Sequence, residues 1–161
     1  MKVIKNLLDN EDFLKIEKMF FNKNFPWYLL DGILNSKSKD TQLVHMFVDK
    51  GKILSTYFEN LYPIFKKLNI NNLIRVKANL QLRTNNKNIG GFHIDYENVK
   101  TAVYYINTNN GMTIFKNGKK IKSEKNKIVV FDSNQKHSGT TCTDKQTRIV
   151  LNINYQDLTS S

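Results

Sequence analysis

The segment 75–84 alternates strictly between polar and apolar residues, which is the pattern of a β-strand whose two faces meet different environments. Its apolar face consists of Val76, Ala78, Leu80 and Leu82. Its polar face consists of Arg75, Lys77, Asn79, Gln81 and Arg83. Such a polar face must meet bulk solvent or line a wet cavity, and the alternation alone leaves both options open.

Helical spacing of apolar residues comes before this strand, and short strand patterns dominate after it. Residues 11–22 and 52–68 are predicted to form amphipathic helices, and Pro63 would kink the second helix or divide it. A polar turn is predicted at 36–41 and a strand at 43–48. Further strands are predicted at 101–107, 112–115, 119–123, 128–131 and 147–155. This order predicts a mainly β domain with N-terminal helices (α+β), in which the helices pack outside one sheet of a sandwich or barrel.

The composition is that of one folded domain spanning residues 1–161, with a helical part at 1–70 and a strand-rich core at 73–156. The single cysteine, Cys142, has no disulfide partner within the chain. No window of about 18 apolar residues predicts a membrane span, and the first residues lack a signal-peptide pattern. We therefore expect a cytoplasmic protein, in the host cytoplasm if the chain is viral.

The net charge of +11 suits an anionic partner such as nucleic acid. Of the 25 basic residues, however, only Arg75, Arg83 and Arg148 are arginine, the residue preferred for phosphate and base contacts. A chain rich in lysine and asparagine is also what an AT-rich coding genome produces. The charge alone therefore does not identify a partner.

The triplet His93-Ile94-Asp95 is a candidate metal site, because residues i and i+2 of a strand point to the same face. His137, which follows the predicted strand 128–131, offers a second imidazole. Two imidazoles and one carboxylate suit non-haem Fe(II) and leave three coordination positions open. A structural zinc site would need a fourth ligand, for which Cys142 is the available thiol.

Arg148 lies in the otherwise apolar strand predicted at 147–155, where an arginine requires an anion. That anion is either a carboxylate of the protein, such as Asp132 or Asp144, or the distal carboxylate of a dicarboxylic co-substrate. Alternation places Asn152 and Asn154 on the face of Arg148. Alternation in the strand 101–107 likewise places Thr101 and Tyr105 on one face, where both could bind the same anion.

Five motifs, in this order, resemble the Fe(II)/2-oxoglutarate-dependent dioxygenase superfamily, and its prolyl-4-hydroxylase-like branch in particular. The chain is also similar to small phage and marine-bacterial members of that superfamily. The resemblance covers about residues 75–155. The motifs are His93-Ile94-Asp95, Tyr104-Tyr105-Ile106-Asn107, Gly111-Met112-Thr113-Ile114-Phe115, the run 129–133 followed by His137-Ser138-Gly139, and Arg148.

The resemblance implies a double-stranded β-helix, the jelly-roll or cupin-like fold, with the polar face 75–83 lining its cavity. It implies that Fe(II) is bound by His93, Asp95 and His137, which would be the catalytic centre. Arg148 would bind the C5 carboxylate of 2-oxoglutarate. Further co-substrate contacts would come from Tyr105, Thr101 and Asn79, and substrate contacts from Asn152, Asn154 and Arg83.

The implied activity is hydroxylation, in which O₂ and 2-oxoglutarate are consumed, succinate is formed and a second substrate is oxidised. The substrate would be a protein or peptide side chain or a small molecule, with nucleic acid as a further option. Members that act on nucleic acid usually carry a second arginine where this chain has Asn154, which counts against that option.

Two other functions fit the same pattern. One is a non-enzymatic β-sandwich module, such as an interaction or virion-associated protein. The other is a cupin-type metalloprotein that uses no keto acid. His45 precedes two apolar residues on a predicted strand and is expected to be a core or surface histidine outside the site.

Overall fold

The computed structural model describes residues 1–31 and 41–157. Within these ranges, eight strands form an antiparallel sheet, and three shorter strands form a second sheet. The strands of the larger sheet are β1 (Lys2–Ile4), β2 (Tyr28–Asp31), β3 (Thr41–Asp49), β4 (Lys52–Ile53), β5 (Asn72–Leu82), β6 (Lys100–Tyr105), β9 (Lys127–Asp132) and β11 (Thr147–Gln156). The smaller sheet consists of β7 (Met112–Phe115), β8 (Lys120–Lys122) and β10 (His137–Gly139). The predicted mainly β fold with N-terminal helices is confirmed.

The larger sheet has the order β1-β9-β6-β11-β5-β3-β2, with β4 paired to β3, and the smaller sheet has the order β10-β7-β8. The crossings in this order are those of a jelly roll, in which two sheets enclose a cavity. The predicted strands at 43–48, 75–84, 101–107 and later are present with small shifts of their ends. The polar turn predicted at 36–41 lies outside the described residues except for Thr41, which begins β3.

Helix α1 (Asn10–Phe21) confirms the first predicted helix. Asp9 caps it, since its side chain accepts a hydrogen bond from the Asp12 backbone at 2.9 Å. The helix buries the predicted stripe of Phe13, Ile16, Met19 and Phe20.

The second predicted helix, at 52–68, is wrong in its first half. A turn through Lys50 and Gly51, both with positive φ, joins β3 to β4 there, and Ile53 is 59% exposed. A 3-10 helix (Phe58–Leu61) then leads into α2 (Tyr62–Leu68). Pro63 lies in the first turn of α2, where a missing N–H costs nothing, so it begins the helix instead of kinking it. The part predicted to be helical, 1–70, therefore also contributes β1–β4.

Two hydrophobic clusters hold these layers together. The larger cluster packs α1, the 3-10 helix and α2 against the apolar face of the larger sheet, and includes the fully buried Val76, Ala78 and Leu151. The smaller cluster lies between the two sheets and includes Val103 and Phe131. No helix within residues 1–31 and 41–157 has the length and apolar character needed to cross a bilayer.

Strand β5 separates the core from the cavity, which is the alternative that the family resemblance implied for its polar face. Its polar positions line the cavity as far as Gln81, whereas Leu82 and Arg83 at its end are exposed. In the antiparallel pairing of β5 with β11, each of these four polar positions lies opposite one residue of β11. The pairs are Gln81 with Arg148, Asn79 with Val150, Lys77 with Asn152, and Arg75 with Asn154.

Candidate metal and co-substrate site

His93, Asp95 and His137 come together at one end of the cavity. The backbones of His93 and His137 exchange two hydrogen bonds of 3.0 Å each, which joins the loop after β5 to the start of β10. The Nε2 atoms of His93 and His137 lie 3.6 Å and 3.8 Å from the Asp95 carboxylate. One ligand atom from each residue lies within 4.8 Å of the others, a spacing that can hold one metal ion.

The hydrogen bonds of both imidazoles leave Nε2 available for a metal. Nδ1 of His93 lies 3.0 Å from the Gly91 carbonyl oxygen, and Nδ1 of His137 lies 3.1 Å from that of Gln135. Because a carbonyl oxygen only accepts, each Nδ1 must carry the hydrogen. Each Nε2 then presents its lone pair toward the centre of the site, as a metal-binding histidine does.

The charge state of the triad also suits a cation. Burial by itself would raise the pKa of Asp95, but the nearby His93 ring and the charge of Arg75 outweigh it and hold that pKa well below its ordinary value. Burial lowers the pKa of His137, which favours its neutral, metal-binding form. The Asp95 carboxylate raises the pKa of His93, so a metal ion bound at this ring would displace a proton from Nε2. Cys142 is buried elsewhere and its thiol donates to the Lys145 carbonyl, so it is not a fourth ligand.

Asp95 is held by a network that sequence reasoning did not foresee. Nη2 of Arg75 lies 2.9 Å from Oδ1 of Asp95, and Nε of Arg75 donates to Oδ1 of Asn154 at 3.0 Å. The Asn154 amide donates in turn to Oδ2 of Asp95 at 3.3 Å and to the Thr101 hydroxyl at 3.0 Å. Asn154 and Thr101 are both fully buried and do not line the cavity. The structure therefore places these two residues behind Asp95, and not at the ligand contacts expected of them.

The cavity between the two sheets has a volume of about 230 Å³. Of the residues that the structure describes, three with cationic side chains line it, Arg75, Lys77 and Arg148, together with one carboxylate, that of Asp95. The neutral polar residues on its wall are Gln42, Asn79, Gln81, Thr113, Ser138 and Asn152. The polar face of β5 thus lines a wet cavity, whereas Arg83, which follows the strand, lies outside that cavity.

Arg148 is 3% exposed, and the hydrogen-bond partners of its side chain among residues 1–31 and 41–157 are all neutral. It donates to the Ser123 hydroxyl at 2.9 Å, to the Gln81 side-chain oxygen at 3.2 Å and to the Thr113 hydroxyl at 3.4 Å. The protein carboxylates considered as partners are engaged elsewhere, since Asp132 pairs with Lys100 and Asp144 accepts from the Asn110 backbone. A buried guanidinium on a cavity wall without a carboxylate partner fits an anionic ligand.

Tyr105 reaches this guanidinium indirectly. Its hydroxyl donates to Thr113 at 2.8 Å, and its ring centre lies 5.9 Å from Cζ of Arg148. Thr113 therefore accepts two hydrogen bonds, and its own hydrogen remains free to point into the cavity. Thr113 belongs to the motif 111–115, and its position in the alternating strand β7 is the sequence signal that could have indicated this role.

Asn79 and Asn152 line the cavity as expected, and Asn79 is 8% exposed with no hydrogen-bond partner for its Oδ1 atom among the described residues. The expectation that His45 lies outside the site is met. Its Nδ1 donates to the Pro26 carbonyl and its Nε2 accepts from Ser55, both at 2.7 Å.

No protein-family model and no curated protein sequence matches the chain. Solved structures match it closely in fold. A prolyl hydroxylase from Trichoplax adhaerens, in complex with a hypoxia-inducible-factor peptide fragment, is 14% identical with a TM-score of 0.69, over 99% of this chain and 87% of that one. A 2OG-Fe(II) oxygenase from Burkholderia pseudomallei is 13% identical with a TM-score of 0.69, over 96% and 84%. The non-heme alpha-ketoglutarate-dependent epimerase SnoN of nogalamycin biosynthesis is 11% identical, also with 0.69, over 98% and 77%.

These similarities confirm that the chain has the double-stranded β-helix fold of the 2-oxoglutarate- and Fe(II)-dependent oxygenases, as the sequence motifs indicated. The matched proteins include a prolyl hydroxylase and an epimerase, which catalyse different reactions. The fold therefore does not identify the substrate.

Proposed function

We propose that this protein is an Fe(II)- and 2-oxoglutarate-dependent dioxygenase, formed by a single domain (1–161) and acting in the cytoplasm. The observation that carries the proposal is Arg148, a buried cation whose partners in the described part of the chain are all neutral, on the wall of the cavity that also holds a His-Asp-His triad. One feature suits a divalent metal and the other suits the carboxylate of a keto acid. A site for a metal alone would not explain the second feature.

The triad residues fit iron by their donor atoms. His93, Asp95 and His137 would hold Fe(II) through two Nε2 atoms and one carboxylate, a set that leaves positions open for other ligands. When bound, the iron supplies the activation of O₂ that couples decarboxylation of 2-oxoglutarate to oxidation of the substrate. The Nδ1 hydrogen bonds to Gly91 and Gln135 fix both rings in the tautomer that such binding needs.

Arg148 would bind the C5 carboxylate of 2-oxoglutarate. Its contacts with Gln81, Ser123 and Thr113 fix the guanidinium in place before the ligand arrives, so little side-chain entropy is lost on binding. The Thr113 hydroxyl would donate a further hydrogen bond to the same carboxylate. Tyr105 would act through Thr113, and Asn79 and Asn152 are on the wall and available to either ligand.

The substrate is proposed to be a small molecule or a protein or peptide side chain. A cavity of about 230 Å³ lies below the range of about 300–1,000 Å³ found for drug-sized ligands, and the co-substrate must share it. That room suits a single side chain better than a nucleobase. The Trichoplax relative in fold was solved with a peptide bound, which is consistent with this choice.

The test is an anaerobic titration of the protein with Fe(II) and 2-oxoglutarate, followed by an assay of succinate formed in air without substrate. We expect a weak visible metal-to-ligand charge-transfer band, which His93→Ala abolishes. His45→Gln replaces a histidine outside the site and serves as the matched control, so it should retain the band. Absence of the band and of succinate in the wild type would support the non-enzymatic β-sandwich module instead.

Arg148→Gln distinguishes the proposal from a cupin-type metalloprotein that uses no keto acid. The variant should bind Zn(II) as the wild type does but bind 2-oxoglutarate at least about 30-fold more weakly, because truncating one partner of a buried charge pair costs about 2–5 kcal/mol. If the protein is instead a metalloprotein that uses no keto acid, the wild type itself should bind Zn(II) but not 2-oxoglutarate, and Arg148→Gln should change neither result.

A further inference from the structure

Lys77 is the cation of the cavity to which the proposed function gives no partner. Arg75 pairs with Asp95 at 2.9 Å, and Arg148 would bind the C5 carboxylate of 2-oxoglutarate. The other end of that co-substrate would bind the metal, so neither of its carboxylates is left for Lys77. Lys77 itself forms no ion pair with any residue in the ranges 1–31 and 41–157.

The position of Lys77 separates it from the co-substrate end of the cavity. Lys77 precedes Gln81, the partner of Arg148, by four residues on β5, which corresponds to about 13 Å along an extended strand. Its register partner on β11 is Asn152, which also lines the cavity. The two cations Lys77 and Arg148 therefore project from different stretches of the same wall.

Lys77 has no ion-pair partner among the described residues. Burial and the nearby charge of Arg75 lower the pKa of this lysine, and the charge of Asp95, which is itself paired with Arg75, opposes them only in part. Asn79, two residues further on the same face of β5, is nine-tenths buried, and its Oδ1 atom has no hydrogen-bond partner among the described residues. A partly buried cation thus lies next to a buried amide, and both line the cavity. Lys77 Nζ and Asn79 Nδ2 can donate to an anion, whereas Asn79 Oδ1 can accept only from a donor group of a ligand.

Charge balance gives the sign of the missing ligand. A divalent metal and a dianionic co-substrate neutralise each other, and Arg75 neutralises Asp95. Arg148 and Lys77 then remain as two excess positive charges in a cavity with no other carboxylate among its described residues. A further anion would reduce this excess.

We infer that Lys77 and Asn79 bind the primary substrate, and that this substrate carries a carboxylate near the atom to be oxidised. The inference rests on the proposed function, because it assigns Arg148 and the metal to 2-oxoglutarate. A carboxylate is favoured over a phosphate because Lys77 is a single uncommitted cation and its neighbours Asn79 and Asn152 are neutral, whereas phosphate sites usually combine several donors with arginine. The carboxylate belongs either to a small organic acid or to an Asp or Glu side chain of a peptide.

The experiment uses the full chain loaded with Zn(II), which is redox-inert, and saturated with 2-oxoglutarate. Trifluoroacetate is titrated and followed by ¹⁹F NMR line broadening, with the uncharged trifluoroacetamide as the comparison ligand. We expect saturable binding of the anion and much weaker binding of the amide. Lys77→Gln should weaken trifluoroacetate binding about tenfold or more, as loss of a charge-assisted hydrogen bond does, and Lys77→Arg should retain it. Lys119→Gln removes the same charge from the exposed β7–β8 turn and should change nothing.

The affinities for Zn(II) and 2-oxoglutarate are measured first in each variant. If the wild type does not bind 2-oxoglutarate, the proposed function itself fails, and this is seen before the fluorinated probe is added. If Lys77→Gln loses affinity for 2-oxoglutarate, Lys77 belongs to the co-substrate site and the inference is overturned while the proposed function stands. Equal binding of the anion and the amide, or equal binding by the wild type and Lys77→Gln, also overturns it.

Competition against trifluoroacetate then distinguishes the two sources of the carboxylate. N-acetylglycine represents a free acid, and the blocked peptide Ac-Gly-Glu-Gly-NH₂ represents a protein side chain, with its Gln counterpart as the uncharged control. Displacement by the first alone supports a small-molecule substrate, and displacement by the Glu peptide but not the Gln peptide supports a peptide substrate. Displacement by the Gln peptide as well would contradict recognition of a carboxylate.

Discussion

The side-chain amide of Asn154 donates a hydrogen bond to Oδ2 of Asp95 over 3.3 Å, which links β11 to a proposed metal ligand. The orientation of the amide is unambiguous, because its oxygen accepts from the guanidinium of Arg75 and its nitrogen faces a carboxylate. A third bond, to Thr101, ties the same amide to β6. Asp95 is therefore positioned by the sheet itself, although it lies in a loop.

Asn154→Ala should weaken Zn(II) binding by about tenfold or more, since the partners that orient metal ligands typically contribute that much to affinity. The measurement is a competition titration against a chromophoric chelator, with circular dichroism to confirm folding. Asn152→Ala is the matched control, because Asn152 lies on the same strand and lines the cavity without contacting Asp95. Equal losses in the two variants would contradict a positioning role for Asn154.

Thr113→Val should weaken 2-oxoglutarate binding about tenfold, because it removes a hydroxyl that accepts from Arg148 and can donate to the ligand carboxylate. Tyr105→Phe removes only the bond that Tyr105 donates to Thr113, and should cost less than about fivefold. Binding to the Zn(II)-loaded protein is measured by calorimetry. If Tyr105→Phe costs as much as Thr113→Val, Tyr105 contacts the co-substrate directly.

Gly111→Ala should impair 2-oxoglutarate binding while leaving Zn(II) binding intact. A Cβ atom at this position would lie 2.5 Å from Cδ and 3.0 Å from Nε of Arg148, so the arginine side chain must move. Gly139→Ala makes the milder test, since its Cβ would lie 3.3 Å from Nη1, at the more flexible end of the same side chain. We expect the larger loss of affinity for Gly111→Ala, and the reverse order would show that the guanidinium end is the more constrained.

Much of the site could be predicted from the sequence because its residues follow simple alternation. The i, i+2 spacing of His93 and Asp95, and an arginine among apolar residues at 148, are local patterns with a direct chemical meaning. The polar face of β5 was visible for the same reason. Alternation does not show how deeply a side chain is buried. Asn154 was therefore predicted on the face of Arg148, toward a ligand, although it lies fully buried behind Asp95.

The predicted secondary structure was wrong where the spacing of apolar residues is that of a helix but the chain forms a hairpin. The apolar residues at 52–68 have helical spacing, yet Leu54 is 60% exposed and the positive φ of Lys50 and Gly51 turns the chain into a hairpin. Strand β10 has only three residues, too few for a periodic signal, although it carries His137. Its pairing with β7 and with His93 is a tertiary contact that no local pattern encodes.

His45 makes folding stability depend on pH outside the proposed site. It is buried among Phe25, Phe47 and Tyr57, and burial lowers its pKa, although the hydrogen bond to the Pro26 carbonyl acts in the opposite direction. Because the folded-state pKa lies below the unfolded value of about 6.5, the stabilisation is fully present above that pH. It is lost as the pH falls through the lower pKa of the folded state.

The free energy of unfolding, measured by urea denaturation in EDTA, should therefore fall between pH 7.5 and 5.5 more steeply in the wild type than in His45→Gln. EDTA keeps metal binding at His93 and His137 out of the comparison, and the difference between the two proteins isolates His45. Protonation would also give Nε2 a hydrogen facing the Ser55 hydroxyl, which already accepts from the Tyr57 backbone at 3.1 Å. Parallel pH profiles for the two proteins would show that His45 keeps its ordinary pKa in the folded state.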